Sequence, residues 1–156
     1  MEIERLVEKF LSDSIPQQIL STPLPDDVAA LVVERLKQEA DRYWYIDYHR
    51  SLKLADRIVA IGELRGDMRQ TALGLMARGD ALKLLDRFAE AWETLDEAGR
   101  IFQTVGDEVG WARTRIGRVY LSTTLNLVSD ALADAKLART IFADHGEHER
   151  LLRLDL

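Results

Sequence analysis

One turn recurs along this chain at a fixed interval. Gly66-Asp67, Gly106-Asp107 and Gly146-Glu147 lie 40 residues apart, and Ile61, Ile101 and Ile141 precede each glycine by five. Ser51, Ala91 and Ala131 keep the interval, as do Leu52, Trp92 and Leu132, then Ile58, Ala98 and Ala138. Small residues at the first and eighth places of a helix let a neighbouring helix approach closely. A glycine can take the left-handed conformation that closes one helix, and the aspartate after it can cap the next. Registered positions in three copies are the signature of a stacked repeat array, in which each unit buries its apolar face against its neighbours.

Composition excludes several classes. The 156 residues carry a net charge of −6, which disfavours a general nucleic-acid or anionic-membrane binder. The absence of cysteine removes disulfides, thiolate zinc sites and cysteine nucleophiles. No apolar stretch reaches the ~20 residues that span a bilayer. The opening "MEIERLVEKFL" is charged and amphipathic, without a signal peptide's basic start and apolar run, so a cytoplasmic location is expected.

Ile3, Leu6, Val7, Phe10 and Leu11 give an amphipathic first helix, and the three prolines, Pro16, Pro23 and Pro25, place a loop over 13–25 that has room for one helical turn. Asp26 or Asp27 is then expected to cap a helix carrying Val28, Leu31, Val32 and Leu36. The spacing predicts helix pairs over 26–43 and 46–65, 68–85 and 88–105, and 108–123 and 128–144, with a further helix starting near Glu147. No segment has strand alternation. Gly79 is best matched by Gly117, 38 residues on, so the turn within "TTLNLVSDAL" is expected to be two residues longer than that within "LLDRFAEAW".

The pattern Leu75, Gly79, Leu82, Phe88, Ala91, Leu95 and Ala98 resembles a tetratricopeptide repeat, with Gly79, Ala91 and Ala98 at that family's small-residue positions. Gly117, Tyr120, Ala131 and Ala138 fit the next copy. The first pair departs from it: Glu39 or Ala40 stands for the glycine, Ser51 and Ile58 replace alanines, and the family's terminal proline is absent throughout. The 40-residue unit with its Gly-Asp closure, and "LKQEADR" followed by "SLKLADRIVAIGELRGD", are similar to the N-terminal arrays of bacterial CHAT-domain (caspase-like) proteins. That resemblance implies an all-α, right-handed α-solenoid of antiparallel helix pairs, whose first helices line a concave groove. Its implied organisation is an N-terminal helix and loop (1–25), three pairs within 26–146 (26–65, 68–105 and 108–144), and a truncated fourth repeat (147–156).

The remaining motifs have plain readings beside sharper ones. "DRYWYIDYHR" gathers Tyr43, Trp44, Tyr45 and Tyr48. Such a cluster can stack a base or cage a cation, but the adopted reading is a plug closing the first pair against the opening helix, its hydroxyls and indole N–H at the wet edge. In "DHGEHE", Gly146 breaks the frame that metal ligands at Asp144, His145, His148 and Glu149 would need, so a solvated turn and no metal are expected. Arg65-Gly66-Asp67 reads as an adhesion tripeptide, yet the repeated turn already explains it. In "GWARTRIGRVY", Trp111, Arg115, Arg118 and Ser122 share one stripe, while Ala112, Ile116, Val119 and Tyr120 form the expected core face. By the resemblance, Trp111, Arg115 and Arg118, with Met76, Asp80 and Lys83 of the preceding repeat, face the groove ligand.

The expected role is a protein–protein interaction or regulatory scaffold module of a larger protein, binding a peptide or helix in that groove. The partner is a protein, with the downstream domain of the same polypeptide included, and no nucleic acid or membrane. The alternative is a small-molecule sensor region that gates an attached ATPase or transcription regulator. No catalytic constellation and no cofactor site are expected. "ERLLRLDL" sets Leu151, Leu152, Leu154 and Leu156 near the terminus without a cover, so self-association, mispacking or fraying there is also expected.

Overall fold

The computed structural model describes residues 2–12, 18 and 21–154. Among these residues lie the α-helices α1 (Glu2–Leu11), α2 (Asp26–Arg42), α3 (Tyr48–Arg65), α4 (Met68–Leu84), α5 (Phe88–Thr104), α6 (Glu108–Ser122), α7 (Val128–Asp144) and α8 (His148–Leu154). A short 3-10 turn, Tyr43–Tyr45, joins α2 to α3, and no strand occurs among the described residues. Most of the proline loop expected over 13–25 lies outside the described residues.

Turn chemistry sets the helix lengths. Left-handed backbone falls at Gly66, Asp86, Gly106, Asn126 and Gly146, one every 20 residues. At each, the next residue's N–H donates to the carbonyl five residues back: Asp67 to Gly62, Arg87 to Leu82, Asp107 to Phe102, Leu127 to Ser122 and Glu147 to Phe142. This is the double closure that satisfies a helix's last carbonyls. Asp and Asn tolerate the left-handed well better than other side-chain-bearing residues, so they serve at the two turns without glycine. Asp47, Asp67 and Asp107 then cap the following helices, accepting from Arg50, Gln70 and Gly110 N–H.

Two local expectations change here. Pro25, not either aspartate, holds the N-cap position of α2, and Asp26 and Asp27 sit in its first turn, where carboxylates complement the positive end of the helix dipole. The α6–α7 connection is two residues longer than the α4–α5 one, as expected (five residues against three), but no residues are inserted. Asp86 and Asn126 keep the 40-residue interval, and α6 is two residues shorter than α4. Gly79 and Gly117 are not equivalent: both abut Leu95, one from α4 and the other from α6.

Each helix packs on the next, and α1 packs on α2. The first helices also touch one another, α2 with α4, α4 with α6 and α6 with α8, while α3, α5 and α7 meet at most marginally. The array therefore bends with the first helices inside. Its core runs unbroken through Phe10, Leu36, Ile58, Leu73, Leu95, Phe102, Leu121 and Phe142. Packing trades volume across equivalent interfaces. Where Phe102 of α5 fills the contact, Gly110 of α6 makes room; 40 residues earlier Gly62 is the small partner, and the α4 backbone at Thr71 closes on it. Arg57 and Arg50 of α3 donate to the Phe10 and Leu11 carbonyls (2.7 and 3.1 Å), tying α1 to the array.

At the far end, Leu154 is buried and Leu151 half-buried against α6 and α7, leaving Leu152 exposed. Two of the leucines expected to lie bare are thus covered within the chain, and Leu156 lies outside the described residues.

Candidate interaction groove

A groove of about 1100 Å³ runs along the inner face, walled by α2, α4, α6 and α8 and closed at one end by the aromatic corner. Met76, Asp80 and Lys83 are among its lining residues, Met76 and Asp80 being largely buried in the wall (2% and 9% exposed). Trp111, Arg115 and Arg118 do not line it. Those three are nearly inaccessible (7%, 3% and 9% exposed) and point between α5 and α7. Trp111 borders a smaller cleft of about 690 Å³ at the other side of α6.

The physical reason lies in the neighbouring helices. Arg115 and Arg118 both donate to Asp134 Oδ2 of α7 at 3.0 Å, and Arg118 also reaches Asp96 Oδ1 of α5 at 3.1 Å. Their guanidiniums stack on Trp111 (5.0 Å) and Trp92 (3.9 Å). Burial, then the adjacent Arg118 charge, pulls the Arg115 pKa down, and the Asp134 hydrogen bond opposes both. The stripe that looks cationic on a single helix is an internal ion-pair layer once two carboxylates from flanking helices reach it.

The opposite face turns to the groove. Ile116 and Val119 are half-buried along its wall, and Tyr120, expected in the core, is 62% exposed there. Lys83 Nζ sits 5.0 Å from the Tyr120 ring centroid and 5.2 Å from that of Trp44, and 3.3 Å from Asp80 Oδ1. Lys37 Nζ pairs with Asp41 Oδ1 at 2.5 Å, below Trp44. The aromatic corner accordingly divides. Tyr43 packs toward the core beneath Arg50, whereas Trp44 and Tyr45 line the groove. The Trp44 indole N–H is buried, away from the wet edge expected for it, with no acceptor among the described residues.

Arg113 is the residue that sequence reasoning missed. It lines the groove between Ile116 and the cationic end formed by Arg150 and Arg153. Its side chain is only 14% exposed, yet its nearest carboxylate, Glu34, stands 3.8 Å away. Burial chiefly lowers its pKa; Glu34 opposes that, and the charges of Arg150 and Arg69 add to it. The groove walls carry five cations and four carboxylates, so this face departs from the chain's net acidity.

The other motifs have structural duties. Arg65 donates to the Leu24 carbonyl and to Asp26, Gly66 makes its turn and Asp67 caps α4. His145 Nδ1 lies 2.8 Å from the Ile141 carbonyl at the end of α7.

Asp41 gives the groove a pH signature. Burial raises its carboxyl pKa above 3.8, against the lowering pull of Lys37, with Asp80 adding to the rise. The folded chain then holds this proton to higher pH than the unfolded chain, so the group's contribution to stability falls as pH rises from 3.8 through the folded value. The melting difference between Asp41→Asn and wild type is expected to shift in the variant's favour over that window. A constant difference from pH ~4 to ~7 would contradict the burial of this carboxylate.

No protein-family model, no curated protein and no solved structure matches the chain.

Proposed function

We propose that the chain is a protein-interaction module, a right-handed α-solenoid of the tetratricopeptide type, that docks a peptide or helix in its inner groove. The docked segment comes from a protein partner or from another part of the same polypeptide. The observation that carries this reading is the groove itself, walled by every second helix of the array and supplied with exposed aromatic surface at Tyr120 and Tyr45. Rigid helices hold that surface in place, so a partner's ordering is the main entropic cost of docking. A metabolite sensor calls for an enclosed apolar pocket, whereas this groove is open along its face and carries nine charged side chains.

The test is a random peptide library selected against the intact chain. Selected peptides should lose at least about tenfold in affinity on Tyr120→Asp, the cost of losing an aromatic contact worth ~1.4 kcal/mol, and little on Lys136→Glu on the outer helix α7. Equal loss in both, or in neither, would move the interface off this face.

A further inference from the structure

We propose that Arg113 is the anchor for a carboxylate, an aspartate or glutamate side chain of the docked segment, which the groove holds beside the apolar strip formed by Ile116, Val119 and Tyr120. The inference deepens the docking reading and rests on it. It starts from an imbalance. A guanidinium carries five N–H donors in a planar fork. Arg115 and Arg118, buried to similar degrees two and five residues further along the same helix, each receive carboxylate oxygens at 3.0–3.1 Å. Arg113 makes no hydrogen bond among the described residues, and Glu34 at 3.8 Å lies beyond hydrogen-bond reach.

Of the groove's other carboxylates, Glu149 makes no ion pair with Arg113 among the described residues, and the remaining two are held by lysines. Asp41 is engaged by Lys37 at 2.5 Å and Asp80 by Lys83 at 3.3 Å. Arg69 is bound to Asp107 and Arg150 to Glu147, and both cations raise the local positive potential at Arg113. Groove water is left to serve the Arg113 fork, and an incoming carboxylate would displace it and accept two parallel N–H bonds. Arg153 lines the same end and adds to its positive charge.

The experiment uses the intact chain, peptides selected as above, and the variant Arg113→Met, which keeps the stem and deletes the fork. Selected peptides are expected to place Asp or Glu at one fixed position next to an apolar residue. Changing that acid to its amide should weaken wild-type binding by about tenfold or more, and leave binding to Arg113→Met unchanged. The variant should melt at the wild-type temperature or a few degrees above it, because it removes a desolvated charge; a purely structural arginine would give a lower melt. Equal acid-to-amide losses in the two proteins, or Tyr120-dependent peptides with no acid at all, would overturn the anchor while leaving the groove reading intact. Peptides indifferent to Tyr120→Asp, or a library that yields no binder, would overturn both. Inorganic phosphate displacing the peptide at far lower concentration than acetate would reassign the anchor to a phosphate.

Discussion

Asp134→Ala is expected to cost the fold about 3 kcal/mol, measured by urea denaturation, although Asp134 is itself partly exposed. One of its oxygens accepts from both Arg115 and Arg118, and these guanidiniums sit in the seam between α5, α6 and α7. Removing it leaves two buried cations facing each other with only Asp96, which is 3.1 Å from Arg118 and 3.7 Å from Arg115. A lone exposed pair would be worth less than about 1 kcal/mol, so the size of the loss reports burial. Asp134→Ala together with Arg115→Met should recover part of the loss, because the double change deletes a charge along with its partner. A loss under about 1 kcal/mol, or no recovery in the double variant, would mean that water reaches the seam and screens the layer.

This ion layer also explains what could and could not be read from the residues alone. The helices were legible because glycine turns and apolar spacing are local signals: α4, α5, α6 and α7 fall within one residue of their expected limits. The 20-residue half-period was harder to see, since Asp86 and Asn126 perform glycine's task without looking like glycine. The groove-facing stripe of α6 depends on something non-local. A helix flanked on both sides buries most of its circumference, and a charge belongs inside whenever opposite charges meet it there. The assignment of Arg115 and Arg118 to the groove followed the resemblance, in which first helices line the concave face, and Asp96 and Asp134 draw both side chains to the other side of the helix. Those two carboxylates lie 38 residues apart on α5 and α7, a pairing that a helical wheel of α6 cannot display. Met76, Asp80 and Lys83 line the groove because α4 follows the same inner wall without such partners behind it.

Ala91→Arg is expected to be the most damaging single change in the array, at about 4 kcal/mol or more. Ala91 is fully buried in the first turn of α5, where its carbonyl lies 3.4 Å from the place a side chain on Gly79 would occupy. Leu95, one turn further, fills the space that Gly79 and Gly117 leave on either side of it. An arginine at 91 would have to drive this three-helix contact apart or bury a charge that has no carboxylate prepared for it. Either outcome consumes a large share of the roughly 5–15 kcal/mol that holds a domain of this size together. The equivalent Ala131→Arg should cost less, because α7 has α6 behind it but leaves Leu132 and Leu137 exposed on its outer side, giving a long side chain somewhere to go. The third equivalent is already polar: Ser51 donates to the Ala40 carbonyl at 2.7 Å, so a hydroxyl is tolerated where it finds an acceptor. Ser51→Ala should therefore be mild, near 1 kcal/mol. That Ala91→Arg lowers the melt more than Ala131→Arg follows from how closely neighbouring helices enclose each position. A reversed order would show that stability in this array does not follow the burial of its small residues.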